Sequence, residues 1–131
     1  MTAFEPVSAE LDQLAKNVID AEFKVHSSLG PGLLESVYEI CLCHELNRRG
    51  IRFQRQVNLP VIYDSIRLDA GLRIDVLVED CLIIELKAVD EPHPLFDAQV
   101  MTYLKLSNKR LALLINFNTI RIKDGIKRIV R

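Results

Sequence analysis

Leu72-Arg73-Ile74-Asp75-Val76-Leu77-Val78-Glu79-Asp80-Cys81-Leu82-Ile83-Ile84-Glu85-Leu86-Lys87-Ala88 reads as a hairpin whose register organises the rest of the chain. Apolar residues alternate on both sides of Glu79-Asp80-Cys81, as in two half-buried strands joined by a tight turn. Leu72, Ile74, Val76 and Val78 share one face of the first strand, and Leu82, Ile84, Leu86 and Ala88 share one face of the second. The two apolar faces must coincide, or half the hairpin would turn its core side to water. Directly opposed residues of an antiparallel pair share a face, so even-numbered residues oppose even-numbered ones. The simplest solution is a three-residue loop with Val78 opposite Leu82.

That register sets Asp75 opposite Glu85 and Arg73 opposite Lys87, on a face otherwise lined by Leu77 and Ile83. Cross-strand neighbours lie about 4.5–5.5 Å apart, and two carboxylates that close repel unless a proton or a cation lies between them. Hard oxygen ligands around a small gap favour Mg²⁺ or Mn²⁺. Lys87 in the same patch would orient or deprotonate a bound water, or stabilise a developing anion. A solvated Asp75–Lys87–Glu85 ion-pair cluster accounts for the same spacing, and the pattern alone does not choose. Asp69 is a rival first carboxylate, but six residues at about 3.3 Å each displace it by about 20 Å from Asp75.

Outward from the hairpin, the N-terminal half is helical. Ser8 is placed to cap a helix in which Leu11, Leu14, Val18, Ala21, Val25 and Leu29 recur at steps of three and four. Gly30-Pro31-Gly32 breaks it. A second helix is predicted from about Leu33 to Arg49, with Leu34, Val37, Cys41 and Leu46 inward and Gly50 as terminal cap. Ile51, Phe53 and Val57 then alternate with polar residues as a strand. Another strand is predicted over Pro60–Tyr63, turning at Asp64-Ser65. Beyond the hairpin, Pro92-His93-Pro94 precedes a helix over Leu95–Leu106, and Leu111–Phe117 is a near-continuous apolar strand covered on both faces. Asn118-Thr119 and Asp124-Gly125 punctuate two short final strands. The order predicts a single domain over residues 1–131 of α/β (α+β) class, a sheet with helices against it.

Composition excludes several classes. The chain has 131 residues, 49% hydrophobic and 27% charged, enough for a core and too apolar for disorder. Its net charge is -1, so nucleic-acid binding must rest on a site rather than on bulk charge. Three cysteines, no secretory pattern and no apolar run of about 18–20 residues point to the cytoplasm and away from secreted or membrane classes. Cys41 and Cys43 lie about 200° apart around a helix and cannot grip one ion together. His26, beside the first helix's stripe, reads as a surface or boundary residue. No phosphate-binding G-x-x-x-x-G-K-[ST] loop and no assembled Ser–His–Asp set are present. Lys and Arg gather at Arg48-Arg49, Arg52, Arg55, Lys105, Lys109-Arg110, Lys123, Lys127-Arg128 and Arg131, either as a phosphate-holding rim or as a solvated one.

Asp75…Glu85-Leu86-Lys87 resembles the PD-(D/E)xK signature of a metal-dependent nuclease superfamily. Gly32-Leu33-Leu34-Glu35-Ser36-Val37-Tyr38 matches the motif that names the GxxExxY family. Arg73-Ile74-Asp75, Ala98-Gln99-Val100-Met101-Thr102-Tyr103-Leu104, Leu114-Ile115-Asn116-Phe117 and Gly125-Ile126-Lys127-Arg128 are similar to that family in the same order, over roughly Val18 to Val130. The resemblance implies a restriction-endonuclease-like mixed β-sheet flanked by helices. It implies that Asp75 and Glu85, with the Leu86 carbonyl, ligate Mg²⁺ (or Mn²⁺) and that Lys87 serves the attacking water. Glu35 would be the acid contributed by the preceding helix. Gln99 and Tyr103 would be the polar residues of the following one. Glu35 and Tyr38, three apart, share a helix face, as do Gln99 and Tyr103, four apart. Tyr38 and Tyr103 are equally well read as core aromatics with a wet hydroxyl. The chain departs from the pattern at Phe96-Asp97, where a histidine precedes the helix glutamine in relatives, while His93 is held between two prolines.

The expectation is a Mg²⁺-dependent nuclease hydrolysing phosphodiester bonds of nucleic acid, DNA first. The alternative is a catalytically silent nucleic-acid- or protein-binding module on the same fold. The sequence leaves a homodimer open.

Overall fold

A computed structural model describes residues 6–131. Helix α1 (Ala9–Leu29) begins at Ser8, whose hydroxyl accepts from the Leu11 N–H at 3.2 Å. It ends at Gly30, where φ is 72°. Helix α2 (Glu35–Arg48) follows the short turn. Then come β1 (Phe53–Tyr63), β2 (Ile66–Val78), β3 (Leu82–Lys87), α3 (Pro94–Ser107), β4 (Leu111–Asn116), a single 3-10 turn (Ile122–Gly125) and β5 (Ile126–Val130). The five strands form one sheet in the order β1-β2-β3-β4-β5. All neighbours are antiparallel except β3 and β4, which run parallel and are joined through α3. This is the expected α+β mixed sheet.

The two turns that build the long β1–β2 and β2–β3 hairpins are local chemistry. Asp64 and Ser65 both adopt positive φ, as do Glu79 and Asp80, the left-handed pair that a tight hairpin turn requires. Val78 lies opposite Leu82, the register that coincident apolar faces require. All residues of β4 are buried, because helices cover both sides of the sheet. Val76, Val78, Leu82, Ile84 and Leu86 pack against α1 and α2. Leu77, Ile83, Ala112 and Leu114 pack against Val100 and Leu104 of α3.

Several sequence expectations change. Leu34 is the cap of α2 rather than an inward residue, and Leu34 and Val37 are 74% and 37% exposed. The helix turns Tyr38 and Leu42 to the core instead, beside the expected Leu46 and a half-buried Cys41. Tyr38 sets that rotation: its hydroxyl donates to the Gly30 carbonyl at 2.6 Å and accepts from the Leu33 N–H at 3.1 Å. Its ring stacks on Phe117 with centroids 4.4 Å apart. Pro60–Tyr63 is no separate strand, but the far end of β1 beyond a register shift between Leu59 and Val61. That is where Pro60, lacking a ladder donor, interrupts the pairing. One strand, β5, stands where two short ones were expected, since residues 122–125 close into a 3-10 turn. His26 is buried, donating from Nε2 to the Thr119 carbonyl at 2.7 Å.

The largest correction concerns the faces of β2. Val76 and Val78 belong to the α1/α2 side, whereas Leu72 and Ile74 pack on the α3 side. β1 changes face likewise between Phe53 and Val57. The strands pair Arg55 with Val76 and Val57 with Ile74, in the same register on either side of Gln56 and Asp75. Gln56 has φ 50°. Each strand therefore carries one irregular residue at the same level, and a period of two cannot run through it.

Candidate active site

The β2–β3 ladder runs from Val78–Leu82 to Val76–Ile84 and stops. Arg73 pairs with Asn58 of β1, and the ladder to β3 does not extend to an Arg73–Lys87 pair as the uninterrupted register required. Past Val76 the side chains replace the ladder. The Asp75 N–H donates to Glu85 Oε1 at 3.2 Å, and the Leu86 N–H donates to Asp75 Oδ2 at 2.9 Å. Two amides that the sheet leaves open are thus satisfied by the two carboxylates, as buried amides must be. Each carboxylate commits one oxygen to this clasp, and the second oxygen of Asp75 has Gln56 Nε2 at 3.5 Å. The N–H and C=O of one strand residue point to the same edge, so the Leu86 carbonyl faces the opening between β2 and β3.

This patch is not a solvated ion-pair cluster. Glu85 is only 4% exposed. Burial pushes its carboxyl up to about 8, and the nearby charge of Asp75 adds to the shift. Burial raises Asp75 as well, opposed by the Leu86 amide and reinforced by the charge of Glu39. The Lys87 ammonium opposes the shift of both acids. Its Nζ lies 4.6 Å over the Phe96 ring, a cation–π contact.

Glu35 opens α2, where an acid suits the helix N-terminus. Partial desolvation raises its carboxyl, Lys87 draws it down, and Asp75 and Glu39 push it up. These reciprocal fields bring Glu35, Asp75, Glu85 and Lys87 into one electrostatic group. On α3, the Tyr103 hydroxyl accepts from Gln99 Nε2 at 3.2 Å. Burial raises the Tyr103 phenol, and the charges of Glu85 and Asp75 raise it further. Tyr38 lies elsewhere: both its hydrogen bonds go to the α1–α2 turn. Asp69 is exposed on β2, its carboxylate 3.9 Å from Arg67. His93 caps α3, accepting from the Leu95 N–H through Nδ1 at 3.0 Å.

Glu39 and Gln56 escaped the sequence reading, and Arg55, expected in a basic rim, joins them. Glu39, buried on α2, receives Arg55 Nε at 2.9 Å and Nη2 at 2.7 Å on one oxygen. Its other oxygen receives Gln56 Nε2 at 2.8 Å. The same carboxamide stands 3.5 Å from Asp75 Oδ1. The available signal was spacing: Glu39 falls one helical turn after Glu35, on the same face. Several basic residues expected as a rim are instead paired, Arg49 with Asp20, Arg52 with Glu79 and Arg128 with Asp12 among them.

Among the described residues no group of three or more His, Cys, Asp or Glu is arranged as a metal cage. The donor set that remains is the buried carboxylate of Glu85, the half-buried one of Asp75 and one carbonyl. Hard oxygens suit a small divalent cation that keeps several waters, and a cation would offset the desolvation that raises both acids. A surface concavity of about 850 Å³ lies elsewhere, over Asn47, Phe53 and the Glu79-Asp80 turn.

A mixed sheet between two helices and a third, with Asp, Glu and Lys where two central strands part, defines the restriction-endonuclease-like nuclease fold. The family model of the PD-(D/E)XK nuclease superfamily matches residues 12–129, and the chain belongs to that superfamily. No curated protein and no solved structure matches it. No helix of the described residues is long and apolar enough to cross a membrane.

Proposed function

We propose that the protein is a metal-dependent nuclease of the GxxExxY type, acting in the cytoplasm on phosphodiester bonds of nucleic acid, DNA first. The observation that carries the reading is the carboxylate clasp of Asp75 and Glu85 beside Lys87. Asp75, Glu85 and the Leu86 carbonyl are the donors for Mg²⁺ or Mn²⁺. A bound ion of this kind neutralises a scissile phosphate and lowers the pKa of an attacking water.

The chain's own residues divide the remaining work. Lys87 leaves the Phe96 ring to hold the attacking water or a phosphate oxygen. Glu35 orients water at the mouth of the site from the first turn of α2. Gln99 and Tyr103 present an amide and a hydroxyl from α3. Burial of Glu85 and Asp75 keeps bulk water from screening these charges.

Calorimetric titration of Mn²⁺ into wild type and the Asp75→Asn/Glu85→Gln double variant tests the metal site, with binding expected in wild type alone. Cleavage of labelled DNA should fall by about a hundredfold or more in Glu85→Gln and in Lys87→Ala. Full cleavage by both folded variants would overturn the mechanism. Nucleic-acid binding with neither metal uptake nor cleavage would instead identify a silent binding module.

A further inference from the structure

Beside Lys87, between α3, β4 and β5, lies a cavity of about 280 Å³ lined by Lys87, Phe96, Leu114, Asn116, Ile126 and Lys127 among others. Asp75 and Glu85 do not line it. Leu114 and Ile126 give it apolar walls, and Phe96 gives it an aromatic face. Asn116 is engaged internally: Oδ1 accepts from the Val89 and Asn118 N–H groups at 3.1 and 3.2 Å, and Nδ2 donates to the Val89 carbonyl at 2.9 Å. Lys127 bridges to Asp97 of α3 at 2.8 Å, and Asp90 accepts from Asn118 Nδ2 at 2.6 Å. Of the rim charges Lys127 and Asp97 neutralise each other, Asp90 takes an amide, and Asp124 lies 3.9 Å from Arg121. Lys87 differs, since its ammonium rests on a ring.

The cavity wall is also built to stay in place. A Cβ at Gly125 would collide with the Asn116 carbonyl, so only glycine lets the 3-10 turn close down on β4 there. The space falls just below the about 300 Å³ at which small-molecule sites begin. It accommodates one planar ring system and not a base pair.

We propose that this cavity receives a single unpaired nucleobase of the strand being cut, with the adjoining phosphate at Lys87. The inference rests on the nuclease reading and gives it a substrate class: nucleic acid with an unstacked nucleotide at the site, such as a single strand or a frayed end. A flat base finds an aromatic face and apolar walls, which hold any base by stacking rather than by edge recognition. A base inside a duplex has to leave its stack to enter. Lys87, shared by cavity and carboxylates, ties the position of the base to that of the phosphodiester.

Methyl NMR of metal-free wild-type protein, titrated with dAMP, dCMP and inorganic phosphate, tests occupancy without requiring cleavage. The nucleotides should shift the Leu114 and Ile126 methyls, and phosphate should not. Identical responses to phosphate and nucleotides, or none to either, would overturn the proposal. In Glu85→Gln, a single-stranded 20-mer should bind at least tenfold tighter than a blunt duplex by fluorescence anisotropy. Adding Val89→Phe or Ile126→Phe, each checked for an intact melting transition, should erase that preference. Equal binding of strand and duplex by Glu85→Gln would also overturn it. Nucleotide-specific methyl shifts without metal-dependent cleavage would remove the nuclease reading and leave a base site. Metal-dependent cleavage without those shifts would do the reverse.

Discussion

Arg55 closes on Glu39 through two donors, Nε at 2.9 Å and Nη2 at 2.7 Å, both to the same carboxylate oxygen. Arg55 is on β1 and Glu39 on α2, so the pair ties the helix that carries Glu35 to the strand that carries Gln56. Glu39 is buried and Arg55 is half-exposed. Arg55→Met should destabilise the fold by about 1–3 kcal/mol, the cost of leaving a buried acceptor short of its donors. Chemical denaturation measures it. Removing the exposed Arg52 of the Arg52–Glu79 pair as a control should cost well under about 1 kcal/mol.

Glu22 is fully buried on α1, and neither carboxylate oxygen has a hydrogen-bond partner. Burial raises its carboxyl well above the ordinary range. The folded state therefore holds a proton that the unfolded chain releases above about pH 4.5, and stability falls as pH rises from there. Glu22→Leu removes this penalty. Its melting temperature should exceed that of wild type by more at pH 8 than at pH 5, and an equal gain at both would contradict the assignment.

Glu85, Asp75 and Glu35 are all raised, so they act with the same sign. Their contribution to metal-free stability is full below about pH 4 and declines as pH rises, through about 8 for Glu85. Divalent-ion binding runs the other way, because the ligands must lose their protons. Mn²⁺ affinity should climb between pH 6 and pH 8.5, and Glu85→Gln should flatten both profiles.

Tyr38→Phe retains the stack on Phe117 and loses the hydroxyl that bridges Gly30 and Leu33. About 0.5–1.5 kcal/mol of stability should disappear, while any cleavage stays within a few-fold of wild type. A large loss of turnover with unchanged stability would instead give Tyr38 a place in the chemistry.

Gly125→Ala sets a methyl group against the Asn116 carbonyl. Backbone cannot yield as a flexible side chain does, so a loss of about 1–3 kcal/mol is expected. Gly50 has open space around it, and its positive φ alone should make Gly50→Ala cost about 1 kcal/mol. Comparing the two melts separates collision from backbone strain.

Short-range chemistry was enough for much of this molecule. A serine cap and an apolar stripe make α1, paired left-handed residues make the two hairpin turns, and an apolar run bounded by turn residues makes β4. These features depend on neighbours a few residues away, and so they were legible. The Val78–Leu82 register was legible too, because the apolar faces next to the turn coincide. The slip at Gln56 and Asp75 was not. A two-residue period assumes an unbroken pleat, whereas this break is held by Glu39 and Arg55 from α2 and β1 and by carboxylates standing in for the ladder. The rotation of α2 was equally hidden, since the Tyr38 hydroxyl and the distant Phe117 ring set it. The burial that lifts Glu85 to about 8 belongs to packing as well: desolvation is imposed by residues far along the chain, and no local pattern records how much water they exclude.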